Sequence, residues 1–239
     1  MGQKVNPIAF RTGIMEDWKS RWYAGKKEFS TLLVEDKKIR DYIKKTRDAE
    51  GRLLYPAIAK IEIERTRDEV HVTIKTSRVG VVVGNNGKKA EELQNQLQVL
   101  TGRRINLDVQ SVDNPETSAQ LVAEDIGDQL VKRAGFRRTM KKAMENAMNA
   151  GAKGIKIQLS GRLGGAEMAR REKQATGSIP LSTLRAKIDY GFSEAKIAQG
   201  HIGIQVWINQ GEYNSEDDNN GQNAEKGKTS KNTKRAYKR

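Results

Sequence analysis

The sequence predicts an α+β protein built from two domains, and three observations carry that expectation. Over the first half, a helical period is followed by two alternating strands, two helices broken by a glycine turn, and a third alternating strand. A polar stretch, Asp113-Asn114-Pro115-Glu116, then interrupts the hydrophobic pattern. Beyond it come two strongly periodic helices and several alternating segments, the pattern of two helices packed on a mostly antiparallel four-stranded sheet. At 239 residues the chain is long enough for two separate cores.

Residues 1–35 read as a basic arm punctuated by aromatics, with Lys4, Arg11, Arg21, Lys26 and Lys27 among Phe10, Trp18, Trp22 and Tyr23. Lys4 and Arg11 are candidate RNA contacts, and Trp18 and Trp22, one helical turn apart, are expected to anchor the arm on a core. A first domain is expected over residues 36–112. Its first helix spans Asp36–Arg47, with Ile39, Tyr42 and Ile43 on one face and Lys37, Lys38, Arg40, Lys44 and Lys45 supplying charge elsewhere. After a polar loop, Ala59, Ile61 and Ile63 alternate with Lys60, Glu62 and Glu64, and Val70, Val72 and Ile74 alternate with His71, Thr73 and Lys75.

The centre of this domain is Gly84-Asn85-Asn86-Gly87-Lys88-Lys89. A short apolar helix ends at Gly84, and a longer one, with Ala90, Leu93, Leu97 and Leu100 at helical spacing, runs to about Thr101, where Gly102 stops it. Two glycines around two small polar residues leave the backbone bare, so a phosphate chain can approach. Free N–H groups at the following helix start, and the helix dipole, favour an anion there. Lys88 and Lys89 are unfavourable at a helix N-terminus unless a bound phosphate compensates them. Ile105, Leu107 and Val109 then form the closing strand.

The second domain is expected over residues 116–211, after a linker in which Asn114 suits an N-cap and Pro115 the first helical position. Its first helix runs to about Lys132, with Leu121, Val122, Ile126 and Leu130 inward. Its second spans Phe136 to about Ala150. There Arg137, Arg138, Lys141 and Lys142 crowd one face, and Phe136, Met140, Ala143, Met144 and Ala147 take the other. Only Glu145 is near enough to offset the four bases, so they repel one another unless something anionic lies across them. Strands are expected around Ile155–Leu159, Leu184–Tyr190 and Ile202–Ile208, with a hairpin through Gly177–Pro180. The glycine- and arginine-rich loop Ser160–Arg171 adds Arg162 and Arg170 as candidate RNA contacts. From Glu212 the hydrophobic pattern stops, and residues 212–239 are expected to be a disordered polar tail.

Composition narrows the function classes. The net charge is +14, from 44 Lys+Arg against 30 Asp+Glu, which points to a polyanionic partner, most often nucleic acid. With no cysteine, disulfides and thiolate zinc sites are excluded, and with only His71 and His201 imidazole chemistry has little to work with. No apolar run approaches a membrane span and no signal-peptide core is visible, so a soluble cytoplasmic protein without a membrane partner is expected. Gly87-Lys88-Lys89 hints at a nucleotide-binding loop, but that spacing needs glycine at Val82 and Ser or Thr at Lys89. No enzyme activity, small-molecule substrate, cofactor or metal is expected.

The first-domain order around the GxxG turn resembles a KH domain of type II (αββααβ), in which the turn clamps single-stranded RNA by its backbone. Further motifs extend the likeness: Met1-Gly2-Gln3-Lys4-Val5-Asn6-Pro7, Phe136-Arg137-Arg138 with Met140-Lys141, Gly151-Ala152-Lys153-Gly154-Ile155-Lys156, the Ser160–Arg170 loop, and Leu184-Arg185-Ala186 with Ile188-Asp189-Tyr190. Together, over about residues 1–212, they resemble the ribosomal protein S-three family of the bacterial small subunit. The resemblance implies a ribosomal protein bound to ribosomal RNA in the subunit head, beside the proteins S-ten and S-fourteen. It also implies that the basic helix lines the channel by which mRNA enters, a role that falls on Arg137, Arg138 and Lys141, with Lys142 added from helical geometry. Family members usually place lysine between the two glycines, where this chain has Asn85 and Asn86. The Glu172–Gly177 stretch lacks the aromatics common in relatives, and Asp48–Tyr55 and the tail fall outside the resemblance. Two other classes stay open at this point: a free-standing KH regulator of mRNA, and a strand-cleaving lyase working through a lysine amine.

Overall fold

The computed structural model describes residues 4–46, 56–67, 69–84 and 87–213. The loop Asp48–Tyr55, the Asn85-Asn86 pair and the polar tail beyond Tyr213 therefore lie outside the described residues.

The first half contains α1 (Pro7–Arg11), β1 (Ser20–Arg21), α2 (Phe29–Lys45), β2 (Ile58–Arg65), β3 (Glu69–Thr76), α3 (Val79–Val83), α4 (Lys88–Thr101) and β4 (Arg104–Ser111). From α2 onward this is the αββααβ order. The strands lie β1-β2-β3-β4, with β2 and β3 antiparallel and β3 and β4 parallel. The parallel pairing needs the crossover that α3 and α4 supply. Ile39 and Ile43, one turn apart on α2, pack with Leu93 and Leu97 of α4 and with Ile63, Val72, Ile74 and Ile105 from the strands; all are 0% exposed. Leu100, placed on the same face by its spacing, remains 38% exposed at the helix end.

Three expectations for this half are corrected. Alternation along β2 puts Ala59 inward, but a bulge between Ile58 and Lys60 shifts the register, and Ile58 is buried instead. The first helix starts seven residues earlier than Asp36, at Phe29, so the boundary expected at residue 35 falls inside α2. The arm is built into the fold: β1 pairs with β2 in parallel, and α1 docks against the second domain.

Asp36 holds much of the arm in place. Buried on α2, it accepts hydrogen bonds from Ser20 Oγ (2.9 Å), Trp22 Nε1 (2.9 Å) and Arg65 Nε (2.7 Å). Arg40, placed by the sequence among the charges off the apolar face, donates to the carbonyls of Ile61 (2.7 Å) and Lys19 (2.8 Å). Of the two tryptophans only Trp22 is anchored, through Asp36 and a ring contact with Phe29 at 5.2 Å. Trp18 lies outside any helix, over Gly13, and is 62% exposed.

The second half contains α5 (Ala119–Val131), α6 (Phe136–Asn149), β5 (Gly154–Gly161), β6 (Arg170–Gly177), β7 (Ala186–Ile197) and β8 (Gly200–Glu212). The sheet order is β6-β5-β8-β7 and every neighbouring pair is antiparallel. Both helices cover one face. Ile126, Met140 and Ala147 meet Ile155, Ile157, Leu159, Ile204, Val206 and Ile208 in a core where all are 0% exposed.

Asn114 does not cap α5. A short 3-10 turn, Pro115–Thr117, intervenes, and the Ala119 N–H is taken by Asp189 Oδ2 of β7 at 2.7 Å. Gly191 permits that approach, since a Cβ there would lie 2.2 Å from the Ala119 carbonyl oxygen. Leu184 belongs to the turn before β7 rather than to the strand, the Ser160–Arg171 loop shortens to residues 162–169, and Glu212 still belongs to β8.

Candidate nucleic-acid interface

At the glycine turn, α3 ends at Gly84 (φ 71°) and α4 is entered through Gly87 (φ 79°). Both angles lie in the left-handed region that favours glycine. The turn also brings Lys89 back over Gly84: a Cβ on Gly84 would sit 2.7 Å from Lys89 Cγ. Among the described residues nothing lies within 4 Å of that position at Gly87. The N-cap of α4 is Gly87, which has no side chain to offer the first N–H groups of the helix. Lys88 and Lys89 are both exposed there, while Asn85 and Asn86 lie outside the described residues.

The second basic surface is α6. Arg137, Arg138, Lys141 and Lys142 are exposed, whereas Met140, Met144 and Ala147 on the other side are buried. Phe136, at the helix start, packs partly against the core. Its ring carries two guanidiniums, Arg137 at 5.6 Å and Arg170 of β6 at 5.7 Å. Glu172 lies between them, 3.6 Å from Arg137 and 3.5 Å from Arg170. One carboxylate and one ring thus hold two arginines from different elements on one patch. Arg138, Lys141 and Lys142 have no ion-pair partner among the described residues.

Two candidates from the sequence, Arg11 buried and Arg162 half-buried, spend their guanidiniums on backbone carbonyls. Arg162 donates to the carbonyls of Ala166 (2.9 Å) and Gln199 (3.2 Å) and ties its own loop together. Arg11 is 0% exposed. Its guanidinium donates to the carbonyls of Ala186 (2.7 Å), Pro7 (2.9 Å) and Thr183 (2.8 Å), and more weakly to Leu181 and Pro180. Both corrections have one cause: a basic residue in a basic segment carries no sign of which backbone carbonyls the fold will bring to it. Lys4, by contrast, is exposed. It lies close enough to Lys156 of β5 to help lower that lysine's pKa, after burial and ahead of Lys173 of β6. Sequence reasoning missed Lys156 and Lys173, because only strand register places them beside Lys4.

Among the described residues, no group of three or more His, Cys, Asp or Glu side chains could hold a metal ion, and no helix is long and apolar enough to cross a membrane.

An αββααβ unit with a GxxG sequence between its two consecutive helices, joined to two helices on an antiparallel sheet, defines a KH-containing RNA-binding protein. Comparison with known families agrees for both halves: a KH domain model matches residues 38–117, and the model of the C-terminal domain of ribosomal protein S3 matches residues 126–208. The chain is 63% identical to the small ribosomal subunit protein uS3 of Rhodopirellula baltica over 239 residues, all of both chains. It is 53% identical to that of Desulforudis audaxviator over 212 residues, 89% of this chain and 94% of the relative. Against that of Shouchella clausii it is 48% identical over the same coverage. The chain belongs to the uS3 family of small ribosomal subunit proteins.

Proposed function

We propose that this protein is a structural constituent of the small ribosomal subunit that binds ribosomal RNA in the subunit head and holds mRNA where it enters. Membership of the uS3 family supports the first part. The observation that carries the second is α6: four exposed bases on one face, backed by a buried apolar face. A rigid, uniformly basic ridge holds a phosphate chain without reading its sequence, as a protein that passes every message must. Arg137, Arg138 and Lys141 would contact mRNA, with Lys142 extending the face and Arg170 completing it through Phe136. The glycine turn, with Lys88 and Lys89 beside it, would contact RNA through its backbone, and Lys4 would contact ribosomal RNA. The family resemblance points to the S-ten and S-fourteen proteins as neighbours. It also supports a KH domain that begins with α2 and runs to about residue 112, followed by a ribosomal domain over 116–211. Nothing in this role needs catalysis.

The test is a triple substitution, Arg137→Ala, Arg138→Ala and Lys141→Ala. All three side chains are exposed, so thermal unfolding should be unchanged. Affinity for single-stranded RNA should fall. The slope of log K against log salt should flatten by about 0.7 per lost phosphate contact, about two in all. An unchanged slope would remove α6 from the RNA interface.

A further inference from the structure

The helices cover only one face of the second sheet, and the other face has a chemistry of its own. Antiparallel register sets its side chains in rows across the strands. One row runs Ala175, Lys156, Trp207, Tyr190, and the next Lys173, Gln158, Gln205, Phe192. Bases thus collect on the β6–β5 side and aromatic rings on the β8–β7 side. The Tyr190 and Trp207 rings are 5.4 Å apart and tilted by 50°. Gln158 Nε2 donates to Gln205 Oε1 at 2.8 Å, and Gln205 Nε2 to Tyr190 Oη at 3.3 Å, which fixes the amides between the two groups. Phe192 is 45% exposed.

Lys4, Lys156 and Lys173 form a positive cluster with no counter-ion: none of the three has an ion-pair partner among the described residues. Lys156 instead holds its ammonium 4.8 Å above the Trp207 ring. Burial, together with the charges of Lys4 and Lys173, pushes its pKa below the ordinary lysine value. A lysine ammonium repelled by two others, beside a row of rings, suits a ligand with phosphate on one side and flat bases on the other.

We propose that this outer sheet face is a second binding surface for single-stranded RNA, separate from α6 and from the glycine turn. The phosphate chain lies over Lys4, Lys156 and Lys173, and bases stack against Trp207 and Phe192. Because rings accept any base and lysines read only charge, the surface is indifferent to sequence. The inference rests on the reading of this chain as an RNA-binding protein.

The experiment uses the full chain labelled with 5-fluorotryptophan and an octaadenylate probe, with Arg137→Ala, Arg138→Ala and Lys141→Ala silencing α6. The chain has three tryptophans, so the fluorine spectrum has three resonances, and Trp207→Phe identifies that of Trp207. Titration should shift the Trp207 resonance. Adding Lys156→Gln and Lys173→Gln should weaken the remaining binding about tenfold and flatten the salt slope by a further 1.4 or so, at about 0.7 per contact. Lys156→Arg, which keeps charge and ring contact, should bind like the α6-silenced chain. The RNA-free Trp207 resonance of each variant reports that the sheet is intact. A Trp207 resonance unmoved at saturation, or an affinity indifferent to the lysine substitutions, overturns the proposal while leaving α6 untouched. Failure of every form, including the unsubstituted chain, to bind octaadenylate would overturn both this inference and the reading of α6.

Discussion

Arg11 shows how little a residue's type says about its task. It stands in a segment of lysines and arginines, as an RNA contact would, yet its guanidinium is wrapped by carbonyls from residues 180–186. Burial pushes its pKa below the ordinary arginine value, but a guanidinium keeps its charge at any physiological pH. Replacing Arg11 by Met leaves those buried carbonyls without a donor. The substitution should destabilise the chain by about 2–4 kcal/mol in urea unfolding, with little change in RNA affinity. A large loss of affinity at unchanged stability would return Arg11 to the interface. Asp36 is a similar case: its place at an apparent helix start concealed a buried acceptor for Ser20, Trp22 and Arg65. In both cases the partners are far apart in sequence, and nothing local marks them.

At the scale of elements, period was legible and register was not. The 3.6-residue spacing of Met140, Met144 and Ala147 was enough to place the apolar face of α6, and with it the basic face opposite. The glycine turn was visible in four letters, because positive φ at Gly84 and Gly87 demands that residue. The bulge in β2, the capping of α5 by Asp189 and the row joining Lys156 to Trp207 all depend on how strands align, which alternation alone leaves open. Glu62 on β2 shows what alignment adds. Burial pushes its carboxyl pKa up, but hydrogen bonds and charge from Lys60 and from Lys75 on β3 outweigh that and hold it low. The nitrogens lie 2.8 Å and 3.1 Å from the carboxylate. A depressed carboxyl contributes stability above its unfolded pKa, near 4.5, and loses it as pH falls through the lower folded value. Glu62→Gln should therefore lower the urea midpoint at pH 7 and leave it nearly unchanged at pH 2. Equal destabilisation at both values would mean that packing, not charge, is what Glu62 supplies.

At the scale of the whole molecule, two domains, their order and their basic character were readable from hydrophobic period, a polar linker and a net charge of +14. The role of the first 35 residues was not. The arm passes along both halves, with α1 held at the turn before β7 and β1 added to the first sheet. Exposed bases gather, among other places, at the glycine turn, on the α6 face and on the outer face of the second sheet. Several RNA-facing surfaces, as proposed above, would suit permanent burial in a ribonucleoprotein better than reversible binding to one site. The most direct measurement is sucrose-gradient sedimentation of a cell extract in high salt, followed by immunodetection of this chain. Stable co-migration with the small ribosomal subunit is the expected result. A chain that stays near the top of the gradient as a free protein would contradict the ribosomal role and favour a free-standing RNA-binding regulator.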